Sequence, residues 1–134
     1  EHFRERGMTM DADVLLFFDK QRAALPMYEA FEQALFERLP DTRMKVQKTQ
    51  ISFYNKHQFC CVSFLRVRKK KELPDPYLVV TFGLEHEVQS PRIAAATEPY
   101  PNRWTHHVVL ASLLEVDDEL MCWIEEAAAF SAVK

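Results

Sequence analysis

The sequence is poor in glycine: its 134 residues include only Gly7 and Gly83. Phosphate-binding loops use several glycines, because their backbone must approach the phosphate closely and adopt conformations that a side chain would block. Neither the three-glycine dinucleotide fingerprint nor the two-glycine P-loop can be built from this pair. The scarcity of glycine therefore excludes the common glycine-rich nucleotide sites.

Long apolar runs are also lacking, since no segment approaches the ~20 residues that cross a bilayer. The start, EHFRERGMTM, is charged and has none of the apolar stretch of a secretory signal. We therefore expect a cytoplasmic protein with no membrane partner. Residues 1–10 are predicted to be a flexible lead-in to a single domain over residues 11–134.

Cysteine is scarce as well: there are three, without CxxC spacing. Cys60 and Cys61 are adjacent on a predicted strand, so their side chains point to opposite faces. We interpret them as reduced, half-buried thiols of a cytosolic protein. A zinc site needs several convergent nitrogen or sulfur ligands. No spacing in the chain supplies them, so no metal or cofactor is predicted.

The net charge of −3 conceals an asymmetry along the chain. The segment from Arg38 to Lys71 holds ten basic residues and one acid, Asp41, a net charge of +9; the remainder carries −12. Such a basic block attracts anions locally although the whole molecule is acidic.

Three helices are predicted from apolar residues at helical spacing. The first covers residues 11–18, with Asp11 or Thr9 as its cap. The second runs from Pro26 to about Arg38 and directs Glu29, Glu32 and Glu37 to solvent. The last begins at Ser112, which forms a capping box with Glu115.

The strands are predicted from alternating apolar residues. Met44 to Tyr54 changes face in its middle, which indicates a bulge or tight turn at residues 47–50. Residues 54–57 are typical of a hairpin turn, because Asn55 tolerates the left-handed conformation. Further strands are predicted over residues 59–68, 77–84 and 104–111. Residues 85–102 contain three prolines and are predicted to be an irregular functional loop or lid, with a short strand within residues 93–97.

This order of elements predicts an α+β fold with two layers. A mostly antiparallel sheet of four to five strands is covered by the N-terminal helices and a C-terminal helix. The basic residues fall on the predicted strands and loops at one rim of the sheet.

The basic rim is the first candidate site. Arginine binds phosphate or carboxylate in bidentate fashion, and aromatic rings stack on bases. Lysines on exposed strands also prevent sheets from pairing edge to edge, so a purely protective role stays open. The rim residues are Lys45, Lys48, Tyr54, Arg66, Arg68 and Lys69 to Lys71.

The run Arg103-Trp104-Thr105-His106-His107 is the second candidate. On a strand the two histidines face opposite sides, so both cannot bind one metal. His106, on the same face as Trp104, is either a ligand-pocket residue or general base, or a structural histidine.

The acid cluster of Glu115, Asp117, Asp118 and Glu119 is the third candidate. Its helical spacing is compatible with a metal site. Acids in the first turns of a helix are more often partners of the helix dipole.

Several segments resemble a known family: Leu25 to Glu29, Val46 to Phe53, Phe59 to Val62 with Arg68-Lys69-Lys70, His106 to Val108, Val116 to Leu120 and Trp123 to Ala127. They are similar to the bacterial family catalogued as domain of unknown function 5655, over roughly residues 13–130. The resemblance implies a small α+β domain that occurs alone or beside other domains, some of them nuclease-like. It carries over no activity and no catalytic residue.

Three hypotheses follow from these observations. The first is a non-enzymatic binding module whose basic rim recognises an anionic ligand, nucleic acid or an acidic partner. The alternative is a small-molecule-binding protein or enzyme with a pocket near Tyr54, Arg103, Trp104 and His106. The third is an interaction protein that forms a homodimer.

Overall fold

The computed structural model of the protein describes residues 3–4 and 12–134. The predicted lead-in over residues 1–10, apart from Phe3 and Arg4, lies outside the described residues. The predicted caps Thr9 and Asp11 lie outside them too. No helix in the described part is both long and apolar enough to cross a membrane.

In the described part of the chain, three α-helices form where helical spacing predicts them, with one boundary corrected below. They are α1 (Ala12–Phe17), α2 (Leu25–Arg38) and α3 (Asp118–Val133). Helix α2 has Pro26 in its first turn, where the missing N–H costs no hydrogen bond. Glu32 was predicted to face solvent, but it is only 7% exposed and accepts a 2.6 Å hydrogen bond from the Tyr28 hydroxyl.

Within residues 3–4 and 12–134, seven antiparallel strands form one sheet in the order β1-β2-β3-β4-β5-β7-β6. The predicted α+β fold is therefore confirmed, with more strands than the four to five expected. The strands are β1 (Phe3–Arg4), β2 (Arg43–Val46), β3 (Gln50–Tyr54), β4 (Gln58–Ser63), β5 (Leu78–Leu84), β6 (Ile93–Tyr100) and β7 (Arg103–Leu110).

The irregular lid predicted over residues 85–102 is wrong in part: the short strand expected within residues 93–97 is confirmed, but it is longer than predicted and occupies eight residues as β6. This strand pairs with β7 along one edge of the sheet, with two register shifts. An edge position tolerates Pro99, whose missing N–H has no ladder bond to make on the outer side. Asn102 makes the tight turn into β7 with φ 61°, a left-handed conformation that asparagine adopts more readily than most residues.

The sheet has two faces of different character. Helices α2 and α3 pack on the helix face, where Phe31 and Phe36 contact Phe53 and Trp123 stacks on Phe82 at 5.8 Å. The opposite side is called the cavity face. In-register pairing places across it the side chains of Lys45, Ser52, Cys61, Thr81 and His107.

Both predicted turns of the basic segment are confirmed. In the first, Gln47 N–H donates to Gln50 C=O at 2.9 Å, which closes the tight link between β2 and β3. In the second, Asn55 has no positive φ, contrary to the expected reason for its use. Its side chain instead donates to the Ala128 carbonyl of α3 at 2.8 Å.

The last helix begins later than predicted. Ser112 caps a single 3-10 turn, Leu113–Glu115, by accepting a hydrogen bond from Leu114 N–H. Asp117 is the actual cap of α3, because its carboxylate accepts from Leu120 N–H at 3.1 Å.

Candidate ligand-binding site

A concave site of about 380 Å³ lies on the cavity face and is called the sheet cavity. Strands β4, β5 and β7 supply its floor, and the turn between β2 and β3 supplies one rim. Its lining residues are Phe17, Lys48, Thr49, Gln50, Cys61, Ser63, Phe64, Leu65, Thr81 and His107. The site therefore combines an apolar wall, a floor of hydroxyl, thiol and imidazole groups, and one lysine.

The polar floor follows from the register of the sheet. Cys61 lies opposite Thr81, and Thr81 lies opposite His107, so three neighbouring strands align these side chains in one row. The Thr81 hydroxyl and His107 Nδ1 are 2.8 Å apart, a hydrogen bond of ordinary length. On the other side of Thr81, Cys61 occupies the opposite position on β4.

Burial sets the protonation of this row. It raises the pKa of the Cys61 thiol to about 11, although the hydrogen bond from Thr81 opposes the shift. It also lowers the pKa of His107. At neutral pH the thiol and the imidazole are therefore both uncharged.

Two glutamines fix the rim beside the floor. Ser52 is fully buried; its hydroxyl donates to the Gln47 side chain at 2.8 Å and accepts from the Gln50 side chain at 2.6 Å. This network holds the turn that carries Lys48, whose side chain is exposed.

The apolar wall is built from aromatic rings. Phe64 stacks on Phe17 at 5.6 Å and meets Phe18 at the same distance edge to face. On its other side Phe64 contacts Tyr77, whose hydroxyl donates to the Phe64 carbonyl at 2.7 Å. Phe64 is thus held in place by Phe17 of α1, by Phe18 directly after that helix, and by Tyr77 directly before β5.

The strand predicted over residues 59–68 ends early, at Ser63. Because the chain leaves the sheet there to seat Phe64, Arg66 and Arg68 are not on a strand. Arg66 lines a second concave site of about 450 Å³, the loop cavity, together with Gln21, Lys70, Leu73, Pro74, Asp75 and Tyr77.

The basic rim predicted from the sequence is therefore divided. Lys48 lies at the sheet cavity, and Arg66 lies at the loop cavity, with Phe64 and Tyr77 between the two. Lys45 lies in the row on the cavity face, two strands from Cys61. Arg68 is exposed in the loop, and Tyr54 lies at the far end of β3.

The four residues predicted to share the alternative pocket do not come together. Arg103 and Trp104 line a third concave site of about 250 Å³ at the end of β7. Tyr54 lies on β3, separated from β7 by β4 and β5. His106 is fully buried on the helix face, where it stacks on Phe82 at 5.0 Å and accepts a hydrogen bond from Val88 N–H at 2.9 Å.

The acid cluster at the start of α3 is occupied by ion pairs. Arg92 reaches Asp117 at 2.8 Å and Glu119 at 3.1 Å, and it also donates to the Glu115 carbonyl. In the described ranges, no group of three or more histidine, cysteine or acidic residues is arranged to hold a metal.

Sequence reasoning missed the contribution of Thr81 and favoured His106 over His107. The available signal was the alternation itself: Cys61, Ser63, Thr81 and His107 all occupy positions opposite to the apolar series of their strands. Small polar residues at that period on several strands indicate a polar floor.

The fold and the site define a small α+β domain whose sheet carries, on the face opposite the two long helices, a cavity with a polar floor and an apolar wall. The chain belongs to the family described as Domain of unknown function (DUF5655), whose model matches residues 16–131. Searches against curated proteins and against solved structures found no significant match.

Proposed function

We propose that this domain is a non-enzymatic binding module that holds a small anionic ligand in the sheet cavity. The cavity carries the proposal: its volume of about 380 Å³ lies within the range of small-molecule sites. An apolar portion of the ligand packs against Phe17, Phe64 and Leu65. Its charged group lies toward Lys48 and the polar floor.

The distribution of ion pairs supports a negatively charged ligand. Near α3, Arg38 contacts Asp118 and Glu125, and Arg92 contacts Asp117 and Glu119. In the turn between β2 and β3 and in the loop after β4, the cations have no carboxylate partner within the part of the chain that the structure describes. These cations are Lys48, Arg66, Arg68, Lys69, Lys70 and Lys71. An anion that binds there meets charge that is not already neutralised.

The state of Cys61 supports binding rather than covalent catalysis. Nucleophilic cysteines are thiolates with a lowered pKa. Burial raises the pKa of Cys61 to about 11, so its thiol stays protonated at neutral pH. A cytoplasmic location is part of the proposal, because all three cysteines are free thiols, as expected in a reducing compartment.

Ligand-observed NMR with benzoate, phenyl phosphate and neutral benzyl alcohol tests the proposal. We expect the two anions to bind and the alcohol to bind more weakly. Lys48→Met should weaken binding of benzoate about tenfold, because a charge-assisted contact is lost. Lys56→Met is the matched control: it removes the same charge from the turn at the other end of β3. Failure of both anions to bind, or equal losses in the two variants, would contradict the proposal.

Nucleic acid is a second candidate ligand, favoured by the exposed run that begins at Arg66 and ends at Lys71. Binding through phosphates weakens as salt increases, with a slope that reflects the number of phosphate contacts. Fluorescence anisotropy with labelled single- and double-stranded DNA and RNA at two salt concentrations tests this. We expect Arg66→Met to reduce the salt slope by about one contact, whereas Lys56→Met leaves it unchanged. Binding without salt dependence would contradict a phosphate-reading surface.

A further inference from the structure

His107 holds a particular position in the sheet cavity. One of its ring nitrogens, Nδ1, is engaged by the Thr81 hydroxyl at 2.8 Å, and Thr81 in turn lies opposite Cys61 on β4. Among the described residues, the other ring nitrogen, Nε2, has no protein partner. The residue lines the cavity and is partly exposed. One nitrogen therefore orients the ring while the other remains available to a ligand.

The hydroxyl of Thr81 lets the row accept a proton without a structural change. While His107 is neutral, the Thr81 hydroxyl donates to Nδ1, so the ring carries its proton on Nε2. When the ring is protonated at both nitrogens, Nδ1–H donates to the Thr81 oxygen and the hydroxyl turns toward Cys61 Sγ. A hydroxyl serves as donor or acceptor in either arrangement.

The groups around His107 favour the protonated form of its ring only when an anion is bound. Lys48 on the turn and Lys45 on β2 are cations on the same face, and Cys61 on β4 is a neutral thiol. His106, on the same strand, faces the other side. The facing positions of β5 and β6 hold Thr81 and Ala95, and no carboxylate lines the cavity within the described chain.

We infer that His107 is the residue that recognises the anionic oxygen group of the ligand, and that ligand and proton bind together. This rests on the proposed function, since it assigns a specific partner to the anion in the sheet cavity. The ligand class is a carboxylate or phosphate, whose oxygen accepts the hydrogen bond from Nε2–H. Charge on the imidazolium then supplements that of Lys48.

The direction of the proton effect follows from burial. Burial lowers the pKa of His107 below its ordinary value of 6.5 in the free protein. A bound anion stabilises the charged ring and raises that pKa. Between the free and bound pKa values, the affinity for benzoate should increase about tenfold for each unit by which the pH falls.

Calorimetric titration with benzoate across this range, combined with NMR of the histidine rings, tests the inference. Benzoate suits the test because carboxylates of its kind stay ionised over the range in which histidine titrates. We expect uptake of up to one proton per bound benzoate and an upward shift of the His107 pKa. His107→Asn should bind benzoate more weakly and without pH dependence. The control His86→Asn removes an exposed histidine that pairs with Glu126, and should behave as wild type.

The two proposals fail in different ways. If neither benzoate nor phenyl phosphate binds, the proposed function is overturned together with the inference. If benzoate binds with the same affinity throughout the range, or if His107→Asn keeps the wild-type pH profile, only the inference is overturned. Thr81→Val supplies a second variant: it removes the bond to Nδ1 and should weaken binding while the pH dependence remains.

Discussion

The two faces of the sheet use neighbouring residues of the same type differently. His106 and His107 are adjacent on β7, and Cys60 and Cys61 are adjacent on β4. His106 is fully buried against Phe82 on the helix face, whereas His107 lines the sheet cavity. Cys60 lies in the apolar core, whereas Cys61 contacts the hydroxyl of Thr81.

Residue type therefore does not determine the role of a side chain in this sheet. On the helix face, both residues fill space, and His106 satisfies the backbone N–H of Val88. On the cavity face, the same groups belong to a hydrogen-bonded row that borders solvent. Position relative to the helices therefore separates structural side chains from candidate ligand-binding side chains.

The largest expected effect distinguishes the two histidines. His106→Ala removes a buried ring and leaves Val88 N–H without its acceptor, so it should lower the free energy of unfolding by about 2–4 kcal/mol. His107→Ala should cost less than about 1 kcal/mol, because its site is already a cavity. Urea unfolding of both variants measures the difference. Equal losses would show that the two faces are not distinct.

The two cysteines should show the same difference between the faces, with smaller losses of stability. Cys60→Ser places a hydroxyl in the apolar core and should destabilise the protein by about 1–3 kcal/mol. Cys61→Ser should cost less than about 1 kcal/mol, because Thr81 can bond the new hydroxyl. Thermal unfolding of the pair measures this. A larger loss for Cys61→Ser would reverse the assignment of the faces.

The cations should also differ in how much they stabilise the fold, because among the described residues Arg92 has carboxylate partners and Lys48 has none. Arg92→Met should cost about 1 kcal/mol at neutral pH, allowing for the partial exposure of Asp117 and Glu119, whereas Lys48→Met should change stability little.

The contribution of Arg92 should depend on pH. Burial acts to raise the pKa of Asp117, but the bonds from Arg92 and Leu120 N–H outweigh it and lower that pKa. The stabilisation is therefore present above the ordinary value of 3.8 and is lost as the pH falls through the lowered value. Denaturation curves of wild type and Arg92→Met should converge in acid. A gap that persists there would exclude the carboxylate as its source.

The smallest expected effect concerns His86, which pairs with Glu126 of α3. The hydrogen bond that His86 Nε2 donates to the Glu126 carboxylate raises the pKa of His86 above 6.5. Its stabilisation is complete below 6.5 and disappears as the pH rises through the raised pKa. Both side chains are about half exposed, so the change amounts to a few tenths of a kcal/mol. His86→Gln should remove this pH dependence from the melting temperature, and Glu126→Gln should have the same result.

The sequence predicts the separation of the two faces but not their roles. Alternation alone places His106 opposite His107, which is confirmed. Which face is covered depends on where α2 and α3 dock, and the position of Trp104 on the same face as His106 gave no indication that His106 is fully buried. The sheet cavity also needs register across four strands, which is a long-range property of the chain.

Other differences arise from tertiary packing. Where β6 runs from Ile93 to Tyr100, only a short strand within residues 93–97 was predicted, because its alanines and Pro99 lack the usual signature of a strand; edge pairing with β7 overrides that weak preference. The strand after Phe59 was predicted too long, because alternation continues through Arg68 although Phe64 leaves the sheet to pack on Phe17. In both cases tertiary packing determined the outcome.

The hydrogen bonds between the β3–β4 turn and α3 affect the order in which the chain can fold during its synthesis. Asn55 donates to Ala128, and the Ser131 hydroxyl donates to the Asn55 side chain and accepts from His57 N–H, over sequence separations of 73 to 76 residues. During synthesis, this hairpin emerges from the ribosome long before its partners exist. Its turn therefore waits for α3 to be translated and docked, so the last helix completes an element formed near the middle of the chain. Until that moment, the nascent domain exposes the part of the helix face that α3 covers, although α2 has already been translated.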